Sequence, residues 1–210
     1  IRKAADVIPE VVRVIKDRRD GTEKDFKMIK FCPICNEPLI KKDEQVDYFC
    51  LNPNCDARKI EGLIHFVSRK AMNIDGLGDR IIEDFYNMHF INNFVDIYRL
   101  GNHKKDLVEL EGFGDKSIDN ILNSIENSKS NSLERFIFAL GIPNVDEKTS
   151  KILEKKYKTM TNFMEADFDE LKSIYDIGEI IAKSIINYFS VDYNKIQVLE
   201  LIKIGVNEKC

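Results

Sequence analysis

From Glu61 onward, apolar residues recur with the period of a helix. Leu63, Phe66 and Val67 stand at i, i+3 and i+4, and Leu133, Phe136 and Ile137 repeat the pattern, so each set lines one helical face. Ile81, Ile82 and Phe85, then Ile118, Ile121, Leu122 and Ile125, then Ile181, Ile185 and Phe189 form further stripes that are expected to face a shared core. Short breaks bearing Gly, Asn or Asp separate them, and strand-like alternation is missing there. The expected fold class is mainly α. Before Glu61 the pattern is different. Residues 1–15 mix β-branched side chains with Pro9, as a strand and its exit would. Residues 17–30 are charged and aperiodic, and read as a linker. Residues 31–59 are rich in Pro and Asn and poor in apolar mass, too poor to fold on a hydrophobic core alone.

The breaks themselves repeat. Ile74-Asp75-Gly76-Leu77-Gly78 returns as Leu110-Glu111-Gly112-Phe113-Gly114 and as Ile174-Tyr175-Asp176-Ile177-Gly178, with a degenerate copy, Ile142-Pro143-Asn144-Val145-Asp146, between them. Positions 76, 112, 144 and 176 are spaced by 36, 32 and 32 residues, the signature of a repeated supersecondary unit. The expectation is four tandem helix-hairpin-helix repeats.

A hydrophobic-x-Gly-hydrophobic-Gly turn between helices has a chemical use. Its two glycines are expected to take φ > 0 and to let the backbone approach another surface without Cβ interference. The helix that follows at once leaves its first N–H groups unpaired and its dipole aimed outward, which suits a phosphate. Such a loop reads no bases, so the binding it supports is independent of sequence. Gly76, Leu77, Gly78, Gly112, Phe113, Gly114, Ile177 and Gly178 are therefore candidate DNA-backbone contacts, with Lys116 as an added cation. Where glycine is missing, Asn144, Asp146 and Asp176 are residues tolerant of left-handed backbone. The negative charge of Asp146 and Asp176 makes the third repeat structural and the fourth a weaker site.

Four of the five cysteines fall in one window, Cys32-x2-Cys35-x14-Cys50-x4-Cys55. Two close pairs across a short ribbon can supply four thiolates to one tetrahedral zinc, and Pro33, Asn52 and Pro53 suit the tight bends that aim them inward. Two disulfides or four core thiols would satisfy the count. The scarcity of apolar residues favours zinc, whose binding energy would hold the segment together. With four protein ligands the ion would be structural. Cys210 reads as an ordinary terminal thiol, and His65 as a packed or surface histidine rather than a fifth ligand.

Charge limits how DNA could be held. The chain carries 32 Lys plus Arg against 36 Asp plus Glu, a formal net charge of −4, which argues against a grip by bulk positive potential. Residues 1–30 hold nine basic and six acidic side chains, and the remainder is neutral to acidic, so local donors must do the work. The longest uncharged apolar stretch, 136–142, is far too short to cross a bilayer, and no membrane partner is expected. Clustered cysteines without a secretory segment fit a reducing compartment. The first residue is Ile1, not Met, so the chain reads as a piece of something longer.

These residues resemble the C-terminal part of bacterial NAD-dependent DNA ligases. The most specific run is Cys50-Leu51-Asn52-Pro53-Asn54-Cys55 continuing through His65-Phe66-Val67-Ser68-Arg69-Lys70-Ala71-Met72-Asn73-Ile74-Asp75-Gly76-Leu77-Gly78, which looks like the family's junction of zinc finger and first hairpin. Arg2-Lys3-Ala4-Ala5-Asp6-Val7-Ile8-Pro9 is similar to the end of its OB-fold domain, with Ala5 where the family commonly has glycine. The resemblance implies the end of an OB fold and a linker over 1–30, a four-Cys zinc finger over 31–60, a helix-hairpin-helix domain over 61–200, and a tail over 201–210 before a BRCT domain. It implies a monomeric bacterial cytoplasmic enzyme that seals nicked double-stranded DNA, with NAD as adenylate donor and a divalent cation such as magnesium. Contacts to adenylation and BRCT domains outside this chain follow, with Arg2 and Lys3 as further DNA contacts. No catalytic residue is expected here. The family's Lys-x-Asp-Gly motif is missing, its nearest approach being Arg18-Arg19-Asp20-Gly21, and an arginine stays protonated and cannot be the nucleophile. Two other readings are a DNA-binding module of a different repair or junction-processing protein, and an interaction scaffold with no DNA role.

Overall fold

The computed structural model describes residues 2–4, 8–41 and 47–207. It divides into two compact units, Ile1–Phe49 and Cys50–Cys210. In the first, β1 (Arg2–Ala4) pairs antiparallel with β2 (Ile8–Glu10) in the register Arg2↔Glu10, Lys3↔Pro9 and Ala4↔Ile8. The opening thus forms two short strands where a single strand and its exit are expected. Residues 19–30 contain no helix or strand, only a 3-10 turn precedes them at Lys16–Arg18, and Val11, Val14, Ile15, Phe26 and Ile29 stay exposed. A second two-stranded sheet joins β3 (Leu39–Lys41) and β4 (Tyr48–Cys50).

Beyond Cys50 every regular element among the described residues is helical. Each hairpin is a pair of helices about a turn. These are α1 (Asp56–Val67) and α2 (Asp79–Asn87), α4 (Lys104–Val108) and α5 (Asp115–Ser128), α6 (Leu133–Ala139) and α7 (Glu147–Tyr157), and α9 (Phe168–Ser173) and α10 (Glu179–Ser190). The connectors α3 (Phe94–Tyr98) and α8 (Met160–Met164) lie between hairpins, and α11 (Asp192–Lys203) closes the array. The apolar stripes meet in one core. Leu63, Phe66, Ile82, Phe85, Ile118, Phe136, Ile137 and Ile185 are almost fully buried, with Ile81, Leu122, Ile181 and Phe189 packed against them.

The hairpins associate in pairs. Ile121 of α5 presses on the first turn so closely that a Cβ on Gly76 would lie 2.6 Å from its Cγ1, and the Asp75 amide donates to Ser124 Oγ of α5 at 2.7 Å. The third turn docks in the same manner on α10, where Asn144 Nδ2 donates to Ser184 Oγ at 2.9 Å. Arg135 on α6 joins the pairs, its guanidinium donating to the carbonyls of Ala71 and Arg69 in the connector that leads into the first turn. Asn131 adds a bond to the Met72 carbonyl at 2.7 Å.

Candidate nucleic-acid interface and metal centre

All four turns share one backbone device. The residue at position 76, 112, 144 or 176 has φ of +91, +85, +65 or +67°. The amide after it donates back three residues, Leu77 to Ile74, Phe113 to Leu110, Val145 to Ile142 and Ile177 to Ile174, at 3.0–3.4 Å. A left-handed third residue in a four-residue turn needs Gly or a short polar side chain, which is why Asn144 and Asp176 substitute. The second glycine behaves otherwise than expected. Gly78, Gly114 and Gly178 are extended at φ −72, −155 and −85°, as is Asp146 at −90°. Any residue could adopt that backbone, so the glycine matters for what it lacks. It brings no side chain to cap its own helix.

That difference separates the repeats. No side chain caps α2, α5 or α10, and the first amides of a helix have no intrahelical partner. In α7, Asp146 Oδ1 accepts from the Thr149 amide at 2.7 Å and takes up a donor that a phosphate would use. This bond is the main reason the Asp146 carboxyl lies below the usual carboxylate range. Each second helix also begins with an acid, Asp79, Asp115, Glu147 or Glu179. These favour the helix start but compete with an incoming anion, a feature missed in reading the repeats from sequence.

The candidate contacts divide by exposure. Gly76, Gly78, Gly112 and Lys116 are exposed, Gly114 is half-buried and Gly178 is exposed. Leu77 and Ile177 are buried and Phe113 is half-buried against Phe85, ring centroids 5.5 Å apart. Because the amides of all three close the turns, these residues shape the hairpins and the glycines face outward. Lys116 and Arg80, each two residues past the second glycine, form no ion pair among the described residues. The corresponding Lys148 is paired with Asp176 at 2.7 Å, and Lys70, ahead of the first turn, with Glu147 at 2.7 Å. The side chains of Arg2, Lys3 and Cys210 lie outside the described residues.

The cysteines converge. Cys32, Cys35, Cys50 and Cys55 place their Sγ atoms within 4.8 Å of one another, Cys32 and Cys55 buried and the other two half-buried. A tetrahedral zinc with Zn–S bonds of about 2.3 Å spaces its sulfurs by about 3.8 Å, so the donor set and its size fit a structural zinc. The first pair is folded by the Asn36 amide bonding the Cys32 carbonyl at 2.9 Å, with Asn36 at φ +60°, and by the Cys32 amide bonding the Glu37 carbonyl at 2.8 Å. The second is folded by Asn52, whose side chain accepts from the Asn54 amide at 3.0 Å and whose carbonyl accepts from Cys55. Cys55 is the N-cap residue of α1, so a zinc-bound thiolate there would sit at the positive end of that helix. Around the cluster Phe31, Ile34, Ile40, Tyr48 and Leu51 remain exposed, so these described side chains form no apolar centre that could hold the segment in place of a metal. His65 is elsewhere, its Nε2 2.8 Å from the Phe138 carbonyl and its ring against Phe138.

Comparison with known proteins agrees with this layout. Residues 31–57 match the NAD-dependent DNA ligase C4 zinc finger domain, and residues 135–198, the third and fourth hairpins, match the helix-hairpin-helix motif. The chain is 46% identical over 213 residues to a DNA ligase of Bacillus cereus strain B4264, covering 100% of the chain and 31% of the relative. It is 48% identical over 207 residues to a DNA ligase of Listeria innocua, covering 99% and 31%, and 46% identical over 203 residues to one of Bacillus mycoides, covering 97% and 29%. The chain thus spans about 31% of the length of the curated relatives it matches. Among the described residues no helix is long and apolar enough to cross a membrane.

Proposed function

We propose a function from one premise: the chain belongs to the NAD-dependent DNA ligase family, of which it represents a part. This part binds the sugar–phosphate backbone of duplex DNA without reading its sequence, and helps its parent hold a nick for sealing. The observation that carries the reading is the shared turn. The first, second and fourth hairpins each present a glycine N-cap, a helix start with no side-chain cap and a left-handed residue in front of it, an arrangement suited to a phosphate oxygen. Gly76, Gly78, Gly112, Gly114 and Gly178 are the backbone contacts, with Arg80 and Lys116 as cations beside the first two. The third hairpin, capped by its own Asp146, is structural. Cys32, Cys35, Cys50 and Cys55 hold a zinc that shapes residues 31–60 and does no chemistry.

The domain reading follows the same premise. Residues 1–30 are the end of an OB fold and a linker, 61–200 the hairpin domain, and 201–210 a tail toward a BRCT domain. The parent is a monomeric bacterial cytoplasmic enzyme that seals 5′-phosphate/3′-hydroxyl nicks with NAD and a divalent cation such as magnesium. These 210 residues hold no Lys-x-Asp-Gly motif, so adenylation belongs to a domain outside them and this part alone is inactive. The test is a titration of fluorescent nicked duplex with the zinc-loaded chain across a salt series. Saturable binding, equal on unrelated sequences and weakening as salt rises, is the expected result. Binding no stronger than that of an unrelated acidic protein would overturn the reading.

A further inference from the structure

The four turns allow a comparison that the sequence repeat makes exact in register. Two residues past the second glycine position stand Arg80, Lys116, Lys148 and Ile180, and one residue before the left-handed position stand Asp75, Glu111, Pro143 and Tyr175. The fourth hairpin is built like the others, with Asp176 at φ +67°, the Ile177 amide on the Ile174 carbonyl at 3.0 Å and Gly178 extended. Its flanks differ from those of the first two turns, which carry an acid before the left-handed residue and a cation after the second glycine, whereas the fourth carries Tyr175 and Ile180.

Those flanks are Tyr175, 87% exposed, and Ile180, 71% exposed, the two most exposed large hydrophobic side chains of the helical unit among the described residues. Single exposed hydrophobics are ordinary on a protein surface, whereas two on either side of one functional turn call for a partner. A shallow hollow beside them, between the third and fourth turns, has Phe138, Val145, Ile180 and Ile181 as its apolar lining, and two acids, Asp146 and Glu179, share it. Of the nearby acids, Asp176 pairs with Lys148 at 2.7 Å and Glu179 with Lys183 at 2.5 Å, while Asp146 is held by the Thr149 amide at 2.7 Å rather than by a cation. The surface therefore does not attract phosphate by charge.

We propose that the fourth hairpin meets DNA through Tyr175 and Ile180, packed against the deoxyribose edge of the minor groove, while the first two hairpins use cations on phosphate. This deepens and rests on the DNA-binding reading above. Its geometry follows from the turn: when amides at Gly178 hold a phosphate, side chains within one helical turn of it fall on the adjoining sugar. The C–H edges of the sugars are the apolar part of the backbone, and apolar side chains enter the minor groove elsewhere as wedges between base steps, whereas here they would lie on the sugars without unstacking bases. A tyrosine ring gives large contact area with a polar tip left in water. Contact of this kind buries apolar surface and releases no counterions, so it adds affinity that salt does not remove.

The test uses the whole zinc-loaded chain on nicked duplex, with affinity measured by fluorescence anisotropy between about 50 and 200 mM salt. The double substitution Tyr175→Ser with Ile180→Ser is expected to weaken binding about tenfold at every salt concentration and to leave the slope of log affinity against log salt unchanged. The melting temperature should hold, since both side chains are exposed. Ile180→Lys is expected to steepen the slope by about one, as a cation placed beside the backbone would. Wild-type affinity in the double variant at every salt would overturn the proposal and turn this surface toward a protein partner. A slope that falls by about one or more in the double variant would overturn it as well, by making the contact electrostatic. Failure of the unsubstituted chain to bind would sink the DNA reading itself, a result distinct from either.

Discussion

Gly76 and Gly112 have nearly the same backbone angle, φ +91 and +85°, yet different surroundings. Nothing lies within 4 Å of a Cβ built on Gly112, whereas one on Gly76 would lie 2.6 Å from Ile121 Cγ1. Gly112→Ala should therefore cost only the left-handed penalty, about 1 kcal/mol. Gly76→Ala should cost about 3 kcal/mol, because a β-branched core side chain must also move. Urea unfolding of the two variants checks the asymmetry, and equal losses would contradict the packing described. Asp146 gives a second contrast. Its bond to Thr149 is an N-cap, so Asp146→Ala should destabilise by roughly 1 kcal/mol at neutral pH, while Asp146→Asn keeps most of the cap. The folded-state carboxyl titrates below its ordinary value of 3.8. The charge-dependent part of this stability is therefore present above that value and fades as pH falls through the lowered one. Melting curves at pH 7 and in acid would show the gap between wild type and Asp146→Asn closing in acid. At this scale the left-handed positions were legible because few residues tolerate them. Arg135 was not, since its partners are main-chain carbonyls 64 and 66 residues away, and no side-chain pattern marks a carbonyl.

The zinc module shows how an element can be readable from its ligands alone. Its four thiols meet, and almost nothing apolar is buried with them. Removing the metal with a chelator should unfold residues 31–59, the first turn of α1 included, while the rest of α1 and α2–α11, resting on their own buried core, keep most of their helicity. Hydrogen exchange mapped along the chain distinguishes the two regions, and a metal analysis finding no zinc in freshly purified protein would refute the site. The hairpin helices were equally legible, because stripes such as Ile118, Ile121 and Ile125 repeat at helical spacing. The short connectors α3 and α8, five residues each, were not. Five residues hold little more than one helical turn, too short for a period to declare itself, and tertiary packing of Val95, Ile97, Met160 and Phe163 fixes them. The opening ladder was half legible: β-branched residues marked extended chain, but the pairing of β1 with β2, from Arg2↔Glu10 to Ala4↔Ile8, is a matter of register that composition does not encode.

For the molecule as a whole, an acidic chain that holds DNA must manage its own carboxylates, and the ion pairs show how. Lys148 is spent on Asp176 and Lys70 on Glu147, both at 2.7 Å, while Lys116 and Arg80 carry no such partner among the described residues. Both pairs are largely exposed, so each contributes little to folding; their effect is to decide which cations remain for phosphate. Each lysine that neutralises a phosphate releases counterions and adds about 0.9 to the slope of log affinity against log salt. Lys116→Gln should therefore lower that slope by about one, and Lys148→Gln by much less, since Asp176 already balances its charge. The reverse substitution is the sharper test. Asp176→Asn keeps a residue that tolerates the left-handed turn while releasing Lys148, so it should tighten binding at low salt and steepen the slope toward one additional phosphate contact. Equal slopes in Lys116→Gln, Lys148→Gln and the unsubstituted chain would mean that neither lysine reaches the backbone. The grip would then rest on Arg80 and on main-chain amides, the latter holding phosphate without adding a cation to the count.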